Sequence, residues 1–398
     1  MDASIRIEPL APRALALPPS PIRALLNVRV EDPGLDFGGG IPDPALFPTL
    51  ALTEASYRVL NEKSASALQY APTEGLPELR EFIAQRLRGR GYYVEPSDVF
   101  VTHGSQHALC AITQVLGSRN KRAMLEQPVY PGALQALTLA ECPVFPLPVT
   151  QEGWELDAIG RTNPDLLYVI PHFHNPTGRC ATAEQKRKLA LLAQNKGVYV
   201  IEDDAYGELD FDGRIQQPLV SECPEFGVLV GSFSKTLCPG LRLGYVIAPK
   251  SIQAALVATL QTTALQPGTL TQYLALELLS LIDYESHLRR IREHYRCRAE
   301  ALSRVCQKYE FWHRQATGGF FLWVKTRSDA KEVAIAMAKR GIKTVPENAF
   351  RFDGLREKGW HLRLAFPRLS LDGASIGRVE QAFAAATGSL EELRAEGL

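Results

Sequence analysis

The sequence predicts an α/β protein in which a mainly parallel central sheet carries helices on both faces and a smaller α+β domain follows. From Val99 onward, short and almost entirely apolar runs alternate with stretches of helical period. Such strands, separated by helices, are typical of a parallel sheet that is covered on both faces. A long, charged helical stretch over 270–309 then leads to apolar runs near 319–324, 344–345 and 361–366, which predict the smaller domain.

The elements of the large domain follow one another in a regular order. Apolar runs without helical period predict strands at residues 99–102, 122–126, 166–170, 198–202, 228–230 and 245–248. Helical period predicts helices at residues 52–60, 75–90, 105–115, 132–140 and 183–195. The first residues are rich in Pro and Ala and predict an extended arm. We therefore expect an N-terminal arm with part of the small domain (1–48), a large domain (49–280) and a C-terminal small domain (281–398).

Length, charge and cysteine content restrict the class of protein. The 398 residues suffice for two domains, and Lys plus Arg equals Asp plus Glu at 44 each. A net charge of zero argues against nucleic acid and membrane surfaces, and no apolar run is long enough to span a bilayer. Seven scattered cysteines without paired spacing favour a reducing compartment. We expect a cytoplasmic protein with no nucleic-acid or membrane partner.

Lys235 is the first candidate for chemistry. It follows the apolar run at 228–230 and lies among hydroxyl residues. A buried lysine at the end of a strand can lose its proton near neutral pH and form a Schiff base. Ser232, Ser234 and Arg242 are donors that suit a phosphate beside it. Taken alone, such a segment is more often a solvated loop, so the other strand ends have to decide.

Two earlier strand ends carry groups that suit a phosphate and a flat ring. Ser105 and Gln106 open a helix directly after the strand at 99–102, so backbone N–H groups and the helix dipole suit a phosphate there. Tyr130 follows the next strand and can stack on a flat ring. A plain helix cap and a half-buried loop aromatic are the alternative interpretations.

Two later strand ends add an amide and a carboxylate. Asn175 belongs to an Asn-Pro turn and can donate to a ring oxygen. Asp203 directly follows the strand at 198–202 and can hold a protonated pyridine nitrogen, which makes a ring an electron sink; the alternative is a capping acid. His172 and His174 occupy alternate positions, but with no third ligand in view we expect no metal.

These strand ends, in this order, identify a family. The sequence resembles the fold-type I pyridoxal-phosphate enzymes of the aspartate aminotransferase superfamily. Within it, the chain is most similar to the branch that holds 2-aminoadipate and kynurenine aminotransferases and the aminotransferase-like domains of MocR regulators. The stretches that carry the resemblance are Gly39–Pro42, Ala67–Tyr70, Thr73–Gly75, Gly104–Gln106, Tyr130–Gly132, Asn175–Gly178, Glu202–Leu209, Gly231–Tyr245, Gly318–Val324 and Arg363–Phe366.

The resemblance implies pyridoxal 5'-phosphate as the cofactor and gives a role to each residue around its ring. Lys235 forms the internal aldimine and then moves protons between the substrate Cα and the cofactor. Asp203 holds the pyridine nitrogen. Tyr206 and Asn175 bind the ring oxygen, and Tyr130 stacks on the ring.

The same resemblance implies the residues at the phosphate and substrate ends. The phosphate ligands it implies are Ser105, Gln106, Ser232, Ser234 and Arg242, joined by Tyr70 from a second subunit. Arg363 binds the substrate α-carboxylate as a two-pronged fork, which lysine does poorly. Gly40 lets the arm close over the substrate, and Arg23 is a candidate for an acidic side chain. Active sites shared between subunits imply a homodimer.

The activity that the resemblance implies is the transfer of an amino group from an L-amino acid to a 2-oxo acid. Two alternatives stay open. One is another pyridoxal-phosphate reaction of specialised metabolism, such as elimination or replacement, cyclisation, oxidation or decarboxylation, because one fold hosts many reactions. The other is a non-catalytic ligand-sensing module. A DNA-binding regulator is not expected, because too few residues precede Arg23 for a winged-helix region.

Overall fold

The computed structural model of the chain describes residue 17 and residues 32–150, 153–352 and 358–395, with side chains to residue 386. Two sheets organise these residues. The larger sheet has eight strands, namely β1 (Val99–Thr102), β2 (Ala123–Gln127), β3 (Val144–Thr150), β4 (Gly153–Trp154), β5 (Leu166–Val169), β6 (Tyr199–Asp203), β7 (Gly227–Ser232) and β8 (Gly244–Ile247). The smaller sheet has three strands, namely β9 (Phe321–Lys325), β10 (Val345–Pro346) and β11 (His361–Ala365).

The larger sheet has the strand order β1-β8-β7-β6-β5-β2-β3-β4. Its middle strands, from β7 to β3, pair in parallel. Strand β8 is antiparallel to both of its neighbours, so β1 runs in the same direction as β7. The carboxyl ends of β1, β2, β5, β6 and β7 therefore meet at one edge, where ligands bind in sheets of this type.

The helices cover both faces of the larger sheet and support the smaller one. They are α1 (Thr49–Glu62), α2 (Ser64–Ala67), α3 (Pro77–Gly89), α4 (Ser105–Leu116), α5 (Pro131–Leu139), α6 (Leu156–Thr162), α7 (Ala183–Lys196), α8 (Lys250–Ala264), α9 (Thr269–Leu281), α10 (Tyr284–Lys308), α11 (Ala330–Ala338) and α12 (Gly373–Ala395). No described helix is both long and apolar enough to cross a membrane.

Alternate residues of each central strand pack into two different apolar cores. Leu167 and Val200 belong to the core on one face, whereas Tyr168 and Ile201 belong to the core on the other. Side chains of a strand point alternately to opposite faces, so both faces of the sheet are covered. This burial explains the near-continuous apolar runs of the sequence, and the predicted mainly parallel sheet is confirmed.

The smaller sheet packs with the described part of the N-terminal arm. Its strands have the order β10-β11-β9 and are all antiparallel. Phe37 is buried in the same apolar core as β9 and β11, and its carbonyl oxygen accepts a 3.0 Å hydrogen bond from the N–H of Ala365. The arm thus crosses from the small sheet toward the larger one. The predicted boundaries at 48 and 280 stay a prediction.

Three features differ from the sequence-based expectation. In the large domain the sequence pattern does not reveal β3, β4, α2, α6 or α8. For β3 the reason is that Pro146 and Pro148 argue against a strand. The helical stretch over 270–309 is two helices, since Asp283 caps the start of α10 through the N–H of Ser286. The sequence predicts a solvated helical tail at 389–398, and its described residues, up to Ala395, belong to the longer helix α12.

Candidate active site

The loops after β1, β2, β5, β6 and β7 enclose a cavity of about 470 Å³ that β11 and the arm close from the other side. Every predicted site residue that the structure describes, except Tyr70, lines it. They are Gly40, Ser105, Gln106, Tyr130, Asn175, Asp203, Tyr206, Ser232, Ser234, Lys235, Arg242 and Arg363. The volume is in the range of small-molecule sites.

The Lys235 amine lies in the turn that follows β7. Its Nζ donates to the carbonyl oxygen of Gly40 at 2.7 Å and lies 5.4 Å from the ring centroid of Phe320. Burial and the Arg363 guanidinium lower the pKa of this amine to about 8, although the Asp203 carboxylate opposes the shift. An amine with such a pKa is partly neutral near physiological pH, which is the form that a nucleophile or base needs.

The Asp203 carboxylate ends β6 and points into the cavity. Its Oδ2 accepts a 2.7 Å hydrogen bond from the hydroxyl of Tyr168, whereas Oδ1 is buried without a hydrogen-bond partner among the described residues. Burial raises the pKa of Asp203 to about 6, against the opposite effects of the Tyr168 hydroxyl and of Lys235. An unpaired buried carboxylate oxygen costs free energy, so this geometry suits a donor that enters the cavity.

Arg363 lies in β11 with only 1% of its surface exposed. Nη1 donates to Oδ1 of Asn175 at 2.9 Å, and Nη2 donates to the carbonyl oxygen of Gly38. The guanidinium carbon lies 4.6 Å and 4.9 Å from the ring centroids of Phe321 and Phe350. Burial lowers the pKa of Arg363 to about 10, and its Nε has no partner in the described part of the chain. The guanidinium is therefore fixed, and Nε is available to an anion.

A cradle for an anion lies at the start of α4. Gly104 precedes this helix with a φ of 78°, in the left-handed region. A Cβ at this position would come within 2.7 Å of Nη2 of Arg242, which also donates to the carbonyl oxygen of His103 at 3.3 Å. The N–H groups of Ser105 and Gln106 belong to the first helical turn and have no acceptor within the helix. Together with the guanidinium they suit a phosphate.

Two serines and an aromatic ring flank this cradle. The Oγ of Ser232 accepts a 3.1 Å hydrogen bond from the N–H of Ser234, which fixes the turn before the lysine. The hydroxyl of Tyr130 donates to Oε1 of Gln106 at 3.4 Å, and Nε2 of Gln106 donates to the carbonyl oxygen of Gly132 at 3.0 Å. A Cβ on Gly132 would lie 2.7 Å from the Tyr130 ring, so glycine allows the ring its place beside the cavity.

Tyr206 and Gly40 close the cavity on the side of the small sheet. The Tyr206 ring packs against Phe320 and Phe321 at centroid distances of 5.4 Å and 5.7 Å. Burial raises the pKa of Tyr206 well above its usual value, so its hydroxyl stays protonated. A Cβ on Gly40 would lie 2.8 Å from Cζ of Phe321, and glycine therefore lets the arm cross close to this ring.

Among the predicted site residues that the structure describes, Tyr70 does not line the cavity. Tyr70 is 76% exposed in the loop after α2. Arg23 lies outside the described residues. The predicted role of Tyr70 requires a second copy of the chain, so both assignments stay predictions.

The two histidines of the loop after β5 lie in hydrogen-bonded surroundings behind the cavity. Nδ1 of His172 lies 2.8 Å from Oδ1 of Asp204, and its Nε2 lies 3.1 Å from Nζ of Lys186. Burial opposes the charge on Asp204, but the Arg90 guanidinium holds its pKa at about 2. Nδ1 of His174 lies 2.9 Å from Oγ1 of Thr177. Although His172 and Asp204 lie close enough to Glu202 to share an ion, two cations already face them. The absence of a metal stays a prediction.

Sequence reasoning missed some residues of the site. Ile41, Gln135 and Ile170 line the cavity, and Tyr168 holds Asp203 from the neighbouring strand. A hydroxyl in an otherwise apolar buried strand is the signal that singles out Tyr168. The other three carry no such signal, because apolar and amide side chains are common in loops, helices and strand ends alike.

The residues present fit the pyridoxal phosphate that the resemblance implies. The unpaired Oδ1 of Asp203 suits a protonated ring nitrogen, and the glycine-framed cradle at Gly104 suits the phosphate. The amine of Lys235 lies between them with a lowered pKa.

Comparisons with known proteins agree with this fit. The model of the family "Aminotransferase class I and II" matches residues 34–372. The chain is 35% identical over 372 residues to the 2-aminoadipate transaminase of Thermus thermophilus, covering 90% of this chain and 91% of that protein.

Solved structures show the same fold. The α-aminoadipate aminotransferase LysN of Thermus thermophilus, solved with N-(5'-phosphopyridoxyl)-L-leucine, matches with a TM-score of 0.86 and 32% identity over 96% of this chain and 98% of that chain. The kynurenine aminotransferase of Pyrococcus horikoshii matches with a TM-score of 0.83 and 26% identity over 94% and 96%. The predicted fold type I is therefore confirmed. The chain belongs to the aminotransferase class I and II family and is a pyridoxal-phosphate-dependent aminotransferase.

Proposed function

We propose that the chain transfers the amino group of an L-amino acid to a 2-oxo acid in the cavity beside Lys235. The observation that supports this most is the meeting of three groups in one cavity: a lysine amine of lowered pKa, the unpaired Oδ1 of Asp203 and the unpaired Nε of Arg363. The lysine amine can act as a base, the Asp203 carboxylate can bind the nitrogen of an electron-withdrawing ring, and the Arg363 guanidinium can bind the substrate carboxylate. Transamination of an amino acid needs all three.

Each of these residues has a proposed task. When bound, pyridoxal phosphate supplies an electron sink for the charge that develops at the substrate Cα. Asp203 accepts a hydrogen bond from the ring nitrogen at Oδ1 and keeps that nitrogen protonated. The Nζ of Lys235 would take the proton from the substrate Cα and deliver it to the cofactor carbon that is bonded to the transferred nitrogen. The N–H groups at the start of α4 and Arg242 bind the phosphate.

The neighbouring side chains would orient the reacting groups. Tyr206 and Asn175 would bind the ring oxygen of the cofactor, and Tyr130 would stack on its ring. Ser232 and Ser234 add hydroxyl groups at the phosphate end. The carbonyl oxygen of Gly40 accepts a 2.7 Å hydrogen bond from the Lys235 amine, which connects the arm to the base.

The activity has a direct test. The holoenzyme, given a panel of L-amino acids without a 2-oxo acid, should release one equivalent of the matching 2-oxo acid per active site. Added 2-oxo acid should then complete the cycle, and a ¹⁵N label should pass from the first amino acid to the second, with ping-pong kinetics. Release of ammonia or carbon dioxide in place of this exchange would contradict transamination and support another pyridoxal-phosphate reaction.

Arg363 is proposed to bind the substrate α-carboxylate. Arg363→Lys keeps the charge but loses the planar fork, so KM for the amino acid should rise roughly 10- to 100-fold, in line with the 1.5–3 kcal/mol of a hydrogen bond to a charged group. Steady-state kinetics measure this change. Arg368→Lys, at a partly exposed position after β11 that does not line the cavity, should leave KM within about twofold. An unchanged KM in Arg363→Lys would exclude the proposed contact.

We propose a homodimer with shared sites, supported by a group of exposed apolar side chains. They are Leu50, Tyr57, Leu60, Leu68, Tyr70 and Leu265. Where such side chains form a contiguous patch, they mark an interface. Oγ1 of Thr73 donates to the carbonyl oxygen of Leu265, and His103, next to the phosphate cradle, contacts Gln266, so this face adjoins the cavity. Tyr70 would reach the phosphate of the partner's site. A fully active monomer in sedimentation would contradict this proposal.

The proposed location is the cytoplasm. All seven cysteines are free in the structure, which agrees with a reducing compartment. Fractionation of cells with an antibody to the chain would test it, and recovery outside the cytoplasm would contradict it.

A further inference from the structure

Asp203 has a hydrogen-bond partner, Tyr168, on the neighbouring strand β5. The hydroxyl of Tyr168 donates to Oδ2 of Asp203 at 2.7 Å, and the Tyr168 side chain is 2% exposed. The other carboxylate oxygen, Oδ1, is buried without a hydrogen-bond partner among the described residues, and Asp203 itself lines the cavity. The two oxygens of the carboxylate therefore differ: Oδ2 is occupied by the Tyr168 hydroxyl, and Oδ1 is unpaired.

The strand register explains why these two side chains meet. Tyr168 pairs with Ile201 in the parallel ladder between β5 and β6. Asp203 lies two residues beyond Ile201 and so points to the same face of the sheet. The long tyrosine ring spans this diagonal and ends at the carboxylate. A shorter polar side chain at position 168 would not reach Asp203.

The electrostatics of the pair give the hydroxyl a consistent role. Burial raises the pKa of Asp203, the Tyr168 hydroxyl and the N–H of Ala205 lower it, Asp204 raises it and Lys235 lowers it. Burial and the Asp203 charge raise the pKa of Tyr168 well above its usual value, so the phenol stays protonated and remains a donor. The hydroxyl thus favours the ionised form of the carboxylate.

We propose that Tyr168 is a positioning residue for the aminotransferase reaction: its hydroxyl occupies Oδ2 of Asp203 and thereby holds Oδ1, charged and unpaired, toward the ring nitrogen of the cofactor. This inference rests on the proposed role of Asp203. Tyr168 does not line the cavity, and it acts through the carboxylate alone.

The loss of the hydroxyl has two consequences for Asp203. Oδ2 would be left without its hydroxyl donor, and the carboxylate would lose the side-chain contact that fixes its rotation. The pKa of Asp203 would also rise, because a hydrogen bond to the charged carboxylate disappears, so a larger fraction of Asp203 would be protonated. Both changes weaken the hold on a protonated ring nitrogen, and the cofactor then withdraws fewer electrons from the substrate.

Tyr168→Phe in the holoenzyme tests the proposal, since phenylalanine keeps the buried ring and removes only the hydroxyl. We expect kcat to fall roughly 10- to 100-fold, with KM for the amino acid nearly unchanged, as for the loss of a hydrogen bond to a charged group. The pH titration of the absorbance of the bound cofactor should shift to higher pH, and the dissociation constant of the cofactor should rise. Tyr199→Phe is the matched control, because its hydroxyl contacts Ser251 at the surface, and it should change none of these.

A double-mutant cycle with Asp203→Asn separates this role from a general loss of packing. If Tyr168 acts through Asp203, Tyr168→Phe should have almost no further effect on kcat or on the absorbance titration in the Asp203→Asn background. Equal effects in both backgrounds would overturn the proposal. An unaltered absorbance titration in Tyr168→Phe would overturn it as well, whatever the activity.

A second substitution keeps the test independent of folding losses. 3-Fluorotyrosine incorporated at position 168 has a more acidic hydroxyl and is a stronger donor, so the absorbance titration should shift to lower pH, opposite to Tyr168→Phe. A shift in the same direction for both would contradict the inference. Failure of the underlying role of Asp203 is distinguishable, because Asp203→Asn alone would then leave the cofactor's absorbance titration unchanged.

Discussion

Lys235→Ala should lower the transamination rate by roughly 10⁴-fold or more, because the cavity loses its nucleophile and a general base that contributes about 10²- to 10⁴-fold by itself. No other described lysine lines the cavity. Stopped-flow measurement of 2-oxo acid release gives the rate. Lys235→Arg should be as inactive, since it restores the charge without an amine that deprotonates.

The control for this change is an exposed lysine. Lys188 pairs with Glu184 on the surface of α7, and Lys188→Ala should keep the rate within about twofold. Turnover in Lys235→Ala near that of the control would contradict the assignment of Lys235.

The pH dependence of cofactor uptake follows from the same residue. Burial and Arg363 lower the pKa of the Lys235 amine to about 8, and only the neutral amine attacks a carbonyl carbon. The rate at which the apoprotein takes up the cofactor should therefore rise with pH and level off above about 8. Rapid-mixing absorbance measures this rate.

Asp203→Asn should lower kcat by roughly 10²- to 10⁴-fold, which corresponds to the 3–5 kcal/mol that loss of one partner of a buried charge pair costs. The amide cannot balance the charge of a protonated ring nitrogen. The affinity for the cofactor should fall in parallel, and equilibrium dialysis measures it.

A surface carboxylate provides the matched control. Asp165 pairs with Lys121 at the opposite end of the sheet, and Asp165→Asn should leave kcat within about twofold. A kcat of Asp203→Asn close to that of this control would contradict the role of Asp203.

The strand ends could be predicted because their signals are local. Lys235, Asp203 and Asn175 each follow an apolar run, and parallel strands bring such positions to one edge. The contributions of β11 and the arm could not be predicted in this way. Only the family resemblance predicts that Arg363 and Gly40 belong to the site. Nothing in the sequence around these two residues indicates that their segments reach the cavity at the strand ends.

Contacts between strands required the structure. The approach of Tyr168 to Asp203 depends on the register of β5 and β6, which sequence periodicity does not determine. The Asp204 side chain is similar: it turns to the other face, where Arg90, from the end of α3, reaches it. The sequence alone does not indicate this contact between Asp204 and Arg90.

Strand β3 was missed for a different reason. Pro146 and Pro148 lack N–H groups, which argues against a central strand. Pro146 and Pro148 are two residues apart, so the N–H groups that they lack would point to the same side of the strand. Strand β3 lies next to the edge of the sheet, where only the two residues of β4 follow it. A strand near an edge tolerates the loss of such donors.

The most direct test of the central claim is the covalent position of the cofactor. Reduction of the holoenzyme with borohydride should fix pyridoxal phosphate to a lysine, and mass spectrometry of a digest should find it on the peptide that contains Lys235. Modification of this residue alone is the predicted result. A reduced cofactor on another lysine, or none on the Lys235 peptide of active enzyme, would contradict the account.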